Sequence, residues 1–227
     1  MNNTIAELQT LAVDFLCNHS LVVNGVVINL KEIEVYYYKE GTFEDGSVHR
    51  NELQRNNPCR FYVHRCGRGR SDSYKGGNYP GVDLVMSEDD SCYFTFLLRS
   101  VVIEKELVIG PHNVLCAILR AVGAKDYNAL EQMPVRIVDC RAGETVLTSE
   151  RINLGKTVSR EYREAKLRFV ILDGFYMSSR YPMKEKMITD WLLSVLQTNQ
   201  QTMPEAILLA KEYLGHVPSS IKKLTDP

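Results

Sequence analysis

The stretch whose reading decides the fold runs from residue 21 to residue 38: Leu21-Val22-Val23, Asn24-Gly25, Val26-Val27-Ile28, and then Glu32-Ile33-Glu34-Val35-Tyr36-Tyr37-Tyr38. Two β-branched runs joined by Asn-Gly predict an antiparallel hairpin with a type I′ turn, because both turn positions need positive φ. From Glu32 the residues alternate. In a strand, Glu32, Glu34, Tyr36 and Tyr38 then share one face, and Ile33, Val35 and Tyr37 share the other. The apolar set is expected to face a core and the acidic and aromatic set to line a cleft.

Upstream, Ile5, Leu8, Leu11, Ala12, Phe15 and Leu16 recur at helical spacing, which predicts an amphipathic helix over 4–17. Downstream, 60–65, 82–86, 92–104, 135–140 and 167–172 predict strands, and 112–122 and 126–132 predict helices. After Pro182 the pattern is helical throughout. Met187, Trp191, Leu192, Val195 and Leu196 form one apolar stripe, and Ile207, Leu208, Ala210, Tyr213 and Leu214 form another beyond a break at Thr202-Met203-Pro204.

With 227 residues, 44% hydrophobic and 24% charged, the chain can bury a sizeable core. No apolar run approaches the ~20 residues that span a bilayer, and no basic residue precedes the first apolar positions as in a secretory signal. The six cysteines are scattered without a Cys-x-x-Cys pair, the usage of a chain that keeps its thiols reduced. We therefore expect no membrane association and an intracellular protein, cytoplasmic if bacterial. His49, Cys59, His64 and Cys66 carry zinc's preferred donors, but their spacing matches no usual ligand pattern, so no metal is expected.

A net charge of −1 argues against a protein that coats nucleic acid indiscriminately. Yet between His49 and Lys75 the chain places Arg50, Arg55, Arg60, Arg65, Arg68, Arg70 and Lys75 against only Glu52 and Asp72. Such a segment is either a phosphate-binding patch or a solvated basic loop.

Several of these residues stand in a family order. Glu34-Val35-Tyr36, His49, Tyr62-Val63-His64, Asp83 and Leu97-Leu98-Arg99-Ser100 resemble, in sequence order, the pocket motifs of the methylpurine (3-methyladenine or alkyladenine) DNA glycosylases. Leu107 to Ile118 is similar to that family's Gly-Pro turn and following helix. Lys166-Leu167-Arg168-Phe169-Val170 with Asp173-Gly174-Phe175-Tyr176-Met177-Ser178 is similar to its closing strand and the segment after it. The resemblance covers residues 20 to 182.

The pattern and the resemblance together imply an α+β fold. It is a single domain over 1–182 with a curved, mostly antiparallel sheet flanked by helices, plus a C-terminal helical extension over 183–227 packed on it. The resemblance implies a monofunctional glycosylase that flips alkylated or deaminated purines out of damaged double-stranded DNA and hydrolyses the N-glycosidic bond without a cofactor. It makes Glu34 and Arg99 catalytic, with Glu32 outside the catalytic position. Tyr36, His49, His64 and Asp83 become the base pocket and Tyr74 or Tyr79 the wedge that fills the vacated stack; beside such a pocket, the charge of Arg65, Arg68, Arg70 and Lys75 reads as contacts to the DNA backbone.

With no lysine expected in the pocket, no Schiff base is expected either. Two positions depart from the family: His64 replaces a tyrosine and Asp83 an asparagine, an acceptor where the family has a donor. The alternatives are a non-catalytic binding module of the same fold and a related hydrolase of nucleosides or RNA. Oligomeric state is not legible.

Overall fold

Asn24 and Gly25 take φ of 48° and 82° and turn strand β1 (His19–Val23) into β2 (Val26–Lys39), with Val23 opposite Val26. In the computed structural model, which describes residues 4–67, 69, 72–140, 145–172 and 183–224, β2 is the spine of a ten-stranded sheet. Along one edge it pairs with β6 (Tyr93–Ile103). Along the other it pairs in turn with β1, with β10 (Arg168–Leu172) and with the short β3 (Phe43–Glu44). Beyond β6 lie β5 (Val82–Val85), β4 (Phe61–Val63) and β7 (Glu106–Ile109). Beyond β1 lies β8 (Arg136–Asp139), and beyond β10 lies β9 (Thr145–Ser149).

Every pairing is antiparallel. Because β2 and β6 are longer than any partner on their outer edges, different strands diverge from each, and the twisted sheet curls into a half-barrel.

One face of this sheet is apolar. Helix α1 (Ile5–Asn18) begins in a capping box between Thr4 and Glu7, and α2 (Pro111–Val122) starts where Gly110 takes φ 96° ahead of Pro111. Leu8, Ala12, Phe15, Val114, Leu115 and Ile118 from these helices pack with Ile33, Val35, Tyr37, Phe94, Phe96 and Leu98 of β2 and β6. Each fully buried aliphatic or aromatic side chain here contributes about 1.5–3 kcal/mol.

A second core lies on the opposite face, where Leu147, Val170 and Leu172 meet α5 (Lys184–Gln197), α6 (Met203–Leu214) and α7 (Ser219–Lys222). The C-terminal helices therefore cover the β9–β10 end of the sheet, and β10 is apolar on both faces. Among the described residues no helix is long and apolar enough to cross a membrane.

Two compensating bulges shape the centre. Leu30 faces Val101, Glu32 faces Ser100 and Ile33 faces Leu98, so Lys31 is the extra residue in β2 and Arg99 the extra residue in β6. The bulges keep Leu30 and Ile33 both in the core despite their odd spacing, and they set Arg99 and Ser100 together against Glu32.

The predicted strands and helices all form, but β7 and β9 were not legible. The β6–β7 turn is Glu104-Lys105 with φ of 51° and 71°, a pair of residues that carries none of the Asn or Gly signal of such a turn.

Candidate active site

The second face of the sheet carries a row of side chains across six strands. Tyr62, Asp83, Leu97, Glu34, Arg168 and Ser149 are successive register partners from β4 through β5, β6, β2 and β10 to β9. Leu97 is the sole apolar member and divides the row into two halves.

In the β2–β10 half the charges are buried and matched. Glu32 accepts from Arg99 Nε (3.0 Å), Arg168 Nε (2.5 Å) and Ser100 Oγ (3.4 Å). Glu34 Oε1 accepts from the Ile152 amide (2.8 Å) and pairs with Arg99 Nη1 (3.3 Å), while Tyr36 donates its hydroxyl to Glu34 Oε2 (3.0 Å). Two carboxylates thus meet two guanidiniums, which removes the penalty that an unpaired buried charge carries.

This arrangement corrects two expectations. Glu34 is 0% exposed, so it lies beneath Tyr36 and does not line a cleft. Glu32, 2% exposed, does not line a cleft either, and it holds both arginines.

In the β4–β5 half the four residues expected to form a base pocket do meet. Tyr36, His49, His64 and Asp83 line one pocket of about 380 Å³, joined by Gln54, Lys75 and residues of the 153–158 loop. That volume falls within the ~300–1,000 Å³ of small-molecule sites. His49 Nδ1 lies 2.9 Å from the Tyr62 hydroxyl, and His49 Nε2 lies 3.2 Å from Lys75 Nζ. His64 Nε2 lies 2.7 Å from Asp83 Oδ1, and the two imidazole centres are 4.8 Å apart. Thr95 donates to Asp83 Oδ2 (2.9 Å).

The electrostatics follow from burial and neighbours. Burial, the largest single influence, pushes the Asp83 carboxyl up, but His64 through charge and hydrogen bond, His49 through charge and Thr95 through its hydrogen bond together hold the group below the usual aspartate value. Burial pulls the Lys75 amine down. Burial and then the Glu34 charge drive the Tyr36 hydroxyl well above its ordinary value, so it stays a donor.

A second cleft of about 800 Å³ adjoins the pocket, sharing Lys75 and Asn153 with it. It is lined by Arg99, Tyr79, Gly110, Pro111 and His112 among others. Arg99 therefore faces this neighbouring cleft and touches Glu34 from that side. Tyr79 stands at its rim, 82% exposed.

The basic segment is largely consumed within the fold. Arg65 is buried, grips Glu131 with two bonds of 2.8 and 2.9 Å, and lies over the Tyr74 ring, so it is not a DNA-backbone contact. Arg55 pairs with Glu52, and Arg60 donates to the Gln132 carbonyl.

Lys75, expected on the DNA backbone, lines the pocket instead, which overturns the premise that no lysine falls there. Tyr74 is anchored through its hydroxyl to Glu131 (2.8 Å) and Asn128 (2.9 Å), which leaves Tyr79 as the exposed aromatic of the two. Arg68, Arg70 and the 173–178 motif lie outside the described residues.

Of the thiol and imidazole set, Cys66 is exposed and donates to the Tyr74 carbonyl, while burial raises the Cys59 thiol. Among the described residues no three His, Cys, Asp or Glu side chains gather as a metal site requires.

Sequence reading missed Arg151. It lies 4.7 Å from the Tyr36 ring centre and bonds Asp45 (2.7 Å), the Val35 carbonyl (3.0 Å) and the Tyr162 carbonyl (3.0 Å). No local pattern marks an arginine in an irregular segment as buried. Compared with models of known families and with curated proteins, the chain matches none of them in sequence.

Proposed function

We propose that the chain is a DNA glycosylase that takes a damaged purine out of double-stranded DNA, seats it in the pocket and hydrolyses its N-glycosidic bond. The observation that carries this reading is the meeting of Tyr36, His49, His64 and Asp83 in one pocket with Glu34 bonded directly beneath its tyrosine. An extruded base stacks on the Tyr36 ring and against the two imidazoles, as base-flipping enzymes require. Arg99 and the Ile152 amide hold Glu34 under the sugar, where its negative charge offsets the oxocarbenium-like cation. When the Tyr36 hydroxyl releases Oε2, that oxygen takes the proton of the attacking water. Tyr79 on the rim of the second cleft fills the gap in the stack.

A second reading is a module that flips bases without cleaving them. It is favoured by the complete burial of Glu34 and the engagement of both its oxygens. Base release from duplexes bearing a panel of purine lesions separates the two, with Glu34→Gln alongside. Release by the wild type and its loss in the variant supports the enzyme. Tight binding with no release supports the module, and neither binding nor release overturns both. Borohydride added during turnover tests the amine route that Lys75 opens. A trapped covalent adduct would replace water by Lys75 as the nucleophile.

A further inference from the structure

We infer that Lys75 gives this site a second activity, in which its amine condenses with the aldehyde of the abasic sugar left after base release and cleaves the DNA strand by β-elimination. The inference rests on the glycosylase reading above for the presence of that sugar, and it concerns the product, not the lesion.

Beyond β4 the chain doubles back and carries this lysine into the site. The Cys66 amide bonds the Ser73 carbonyl (2.7 Å), Arg65 stands opposite Tyr74, and the Lys75 amide bonds the His64 carbonyl (3.0 Å). Successive side chains of extended backbone point to opposite faces. Tyr74 is tied to Glu131 on one side, so Lys75 turns to the other, where it lines both the base pocket and the adjoining cleft. With a base stacked on Tyr36, its sugar lies at the mouth these two spaces share.

The order of hydrogen bonds leaves the amine uncharged. The Tyr62 hydroxyl has one proton, and its oxygen already takes a bond from the Arg65 backbone amide. Burial drives that hydroxyl well above its ordinary value, so it stays a donor. Its proton therefore goes to His49 Nδ1 at 2.9 Å. An imidazole whose Nδ1 accepts carries its own proton on Nε2, and Nε2 faces Lys75 Nζ at 3.2 Å. The amine must accept there, which an ammonium, with three donors and no lone pair, does not do. Burial pulls the amine the same way. Among the described residues no carboxylate bonds it, since Asp83 is taken by His64. An uncharged lysine amine is the form that attacks a carbonyl carbon.

In the ring-opened sugar the Nζ lone pair attacks the aldehyde carbon. One proton from the nitrogen and one from solvent leave with the aldehyde oxygen as water, and a protonated imine remains. The proton on the adjacent carbon then passes to water, and its electron pair forms a double bond to the next carbon. The bond from that carbon to oxygen breaks, and its pair departs with the phosphate. Water hydrolyses the imine, which returns the amine and a proton and leaves an unsaturated aldehyde on the cut strand.

The test uses the full chain and a duplex carrying a preformed abasic site, which has no base to displace. With cyanoborohydride, a covalent adduct should form and map by peptide mass spectrometry to Lys75. Without it, the strand should be cut to the unsaturated aldehyde. A duplex with a tetrahydrofuran in place of the sugar has no aldehyde and should give neither product. Lys75→Arg should lose both products, since a guanidinium is no nucleophile, with thermal unfolding reporting that it is folded; the mapped adduct of the wild type decides the matter if it is not. Base release from lesion duplexes with neither adduct nor cut on the abasic duplex overturns the inference and leaves the glycosylase reading standing. An adduct on another amine, or one formed on lesion duplexes alone through direct displacement, overturns it as well. Adduct and cut at Lys75 without base release from any lesion retain the amine chemistry and overturn the glycosylase reading.

Discussion

The two halves of the polar row are built from the same kinds of residue and held by different chemistry. Around β2 and β10 the carboxylates of Glu32 and Glu34 are matched by guanidiniums, which stay charged at any pH the protein meets. Around β4 and β5, Asp83 is matched by an imidazole, and the neighbouring lysine is half-buried against a second imidazole. The first half is a fixed electrostatic platform; the second holds its carboxylate with an imidazole and keeps an amine beside it.

The largest effect expected from breaking this contrast is kinetic. Glu34→Gln should lower base release by about 10⁴ or more, because both a proton acceptor and a fixed negative charge are lost, while binding to lesion DNA is retained. Single-turnover release and a mobility-shift titration check the two halves of that statement. Next comes the platform itself. Arg168→Met leaves Glu32 and Glu34 sharing Arg99, and it should cost about 3–5 kcal/mol in denaturant unfolding. A loss below about 1 kcal/mol would show that the pair is solvated in a way its burial denies.

The titratable half gives a smaller, pH-shaped effect. The Asp83 carboxyl is held below its ordinary value, so its ionisation stabilises the fold above about pH 4 and that stabilisation drains as pH falls through the lower folded value. Asp83→Asn should therefore flatten the acid limb of the stability curve, measured by thermal unfolding at a series of pH values. Smallest is Tyr79→Ser on the exposed rim. Stability should stay within about 0.5 kcal/mol, while affinity for lesion duplexes drops by roughly 1 kcal/mol through lost stacking.

The two halves also differed in how far they could be read in advance. The hairpin at Asn24-Gly25, the alternation in β2 and the helix after Gly110-Pro111 are local signals, and each element forms where its signal lies. The pocket residues were legible through the family order in which Tyr36, His49, His64 and Asp83 stand, and strand alternation placed only Tyr36 of these on a face. Glu34 was assigned the right face and the wrong exposure. Alternation says which side a residue points to, not whether another segment lies over it, and here the Ile152 amide and the Tyr36 hydroxyl do. Arg65 and Lys75 were read by charge alone, and charge cannot tell a solvated arginine from one facing a glutamate 66 residues further along the chain.

The amino-acid order by itself determined the α+β class, the positions of the principal strands and helices, and the polar face of β2. These depend on the period of the apolar residues and on turn chemistry, both of which act over a few positions. Only the tertiary structure decided which arginine neutralises which carboxylate, that Lys75 enters the pocket, and that Asp83 is left to an imidazole. Those pairings join strands far apart in the chain, and in a buried site of low dielectric it is the distance between charges, not their order, that sets their energy.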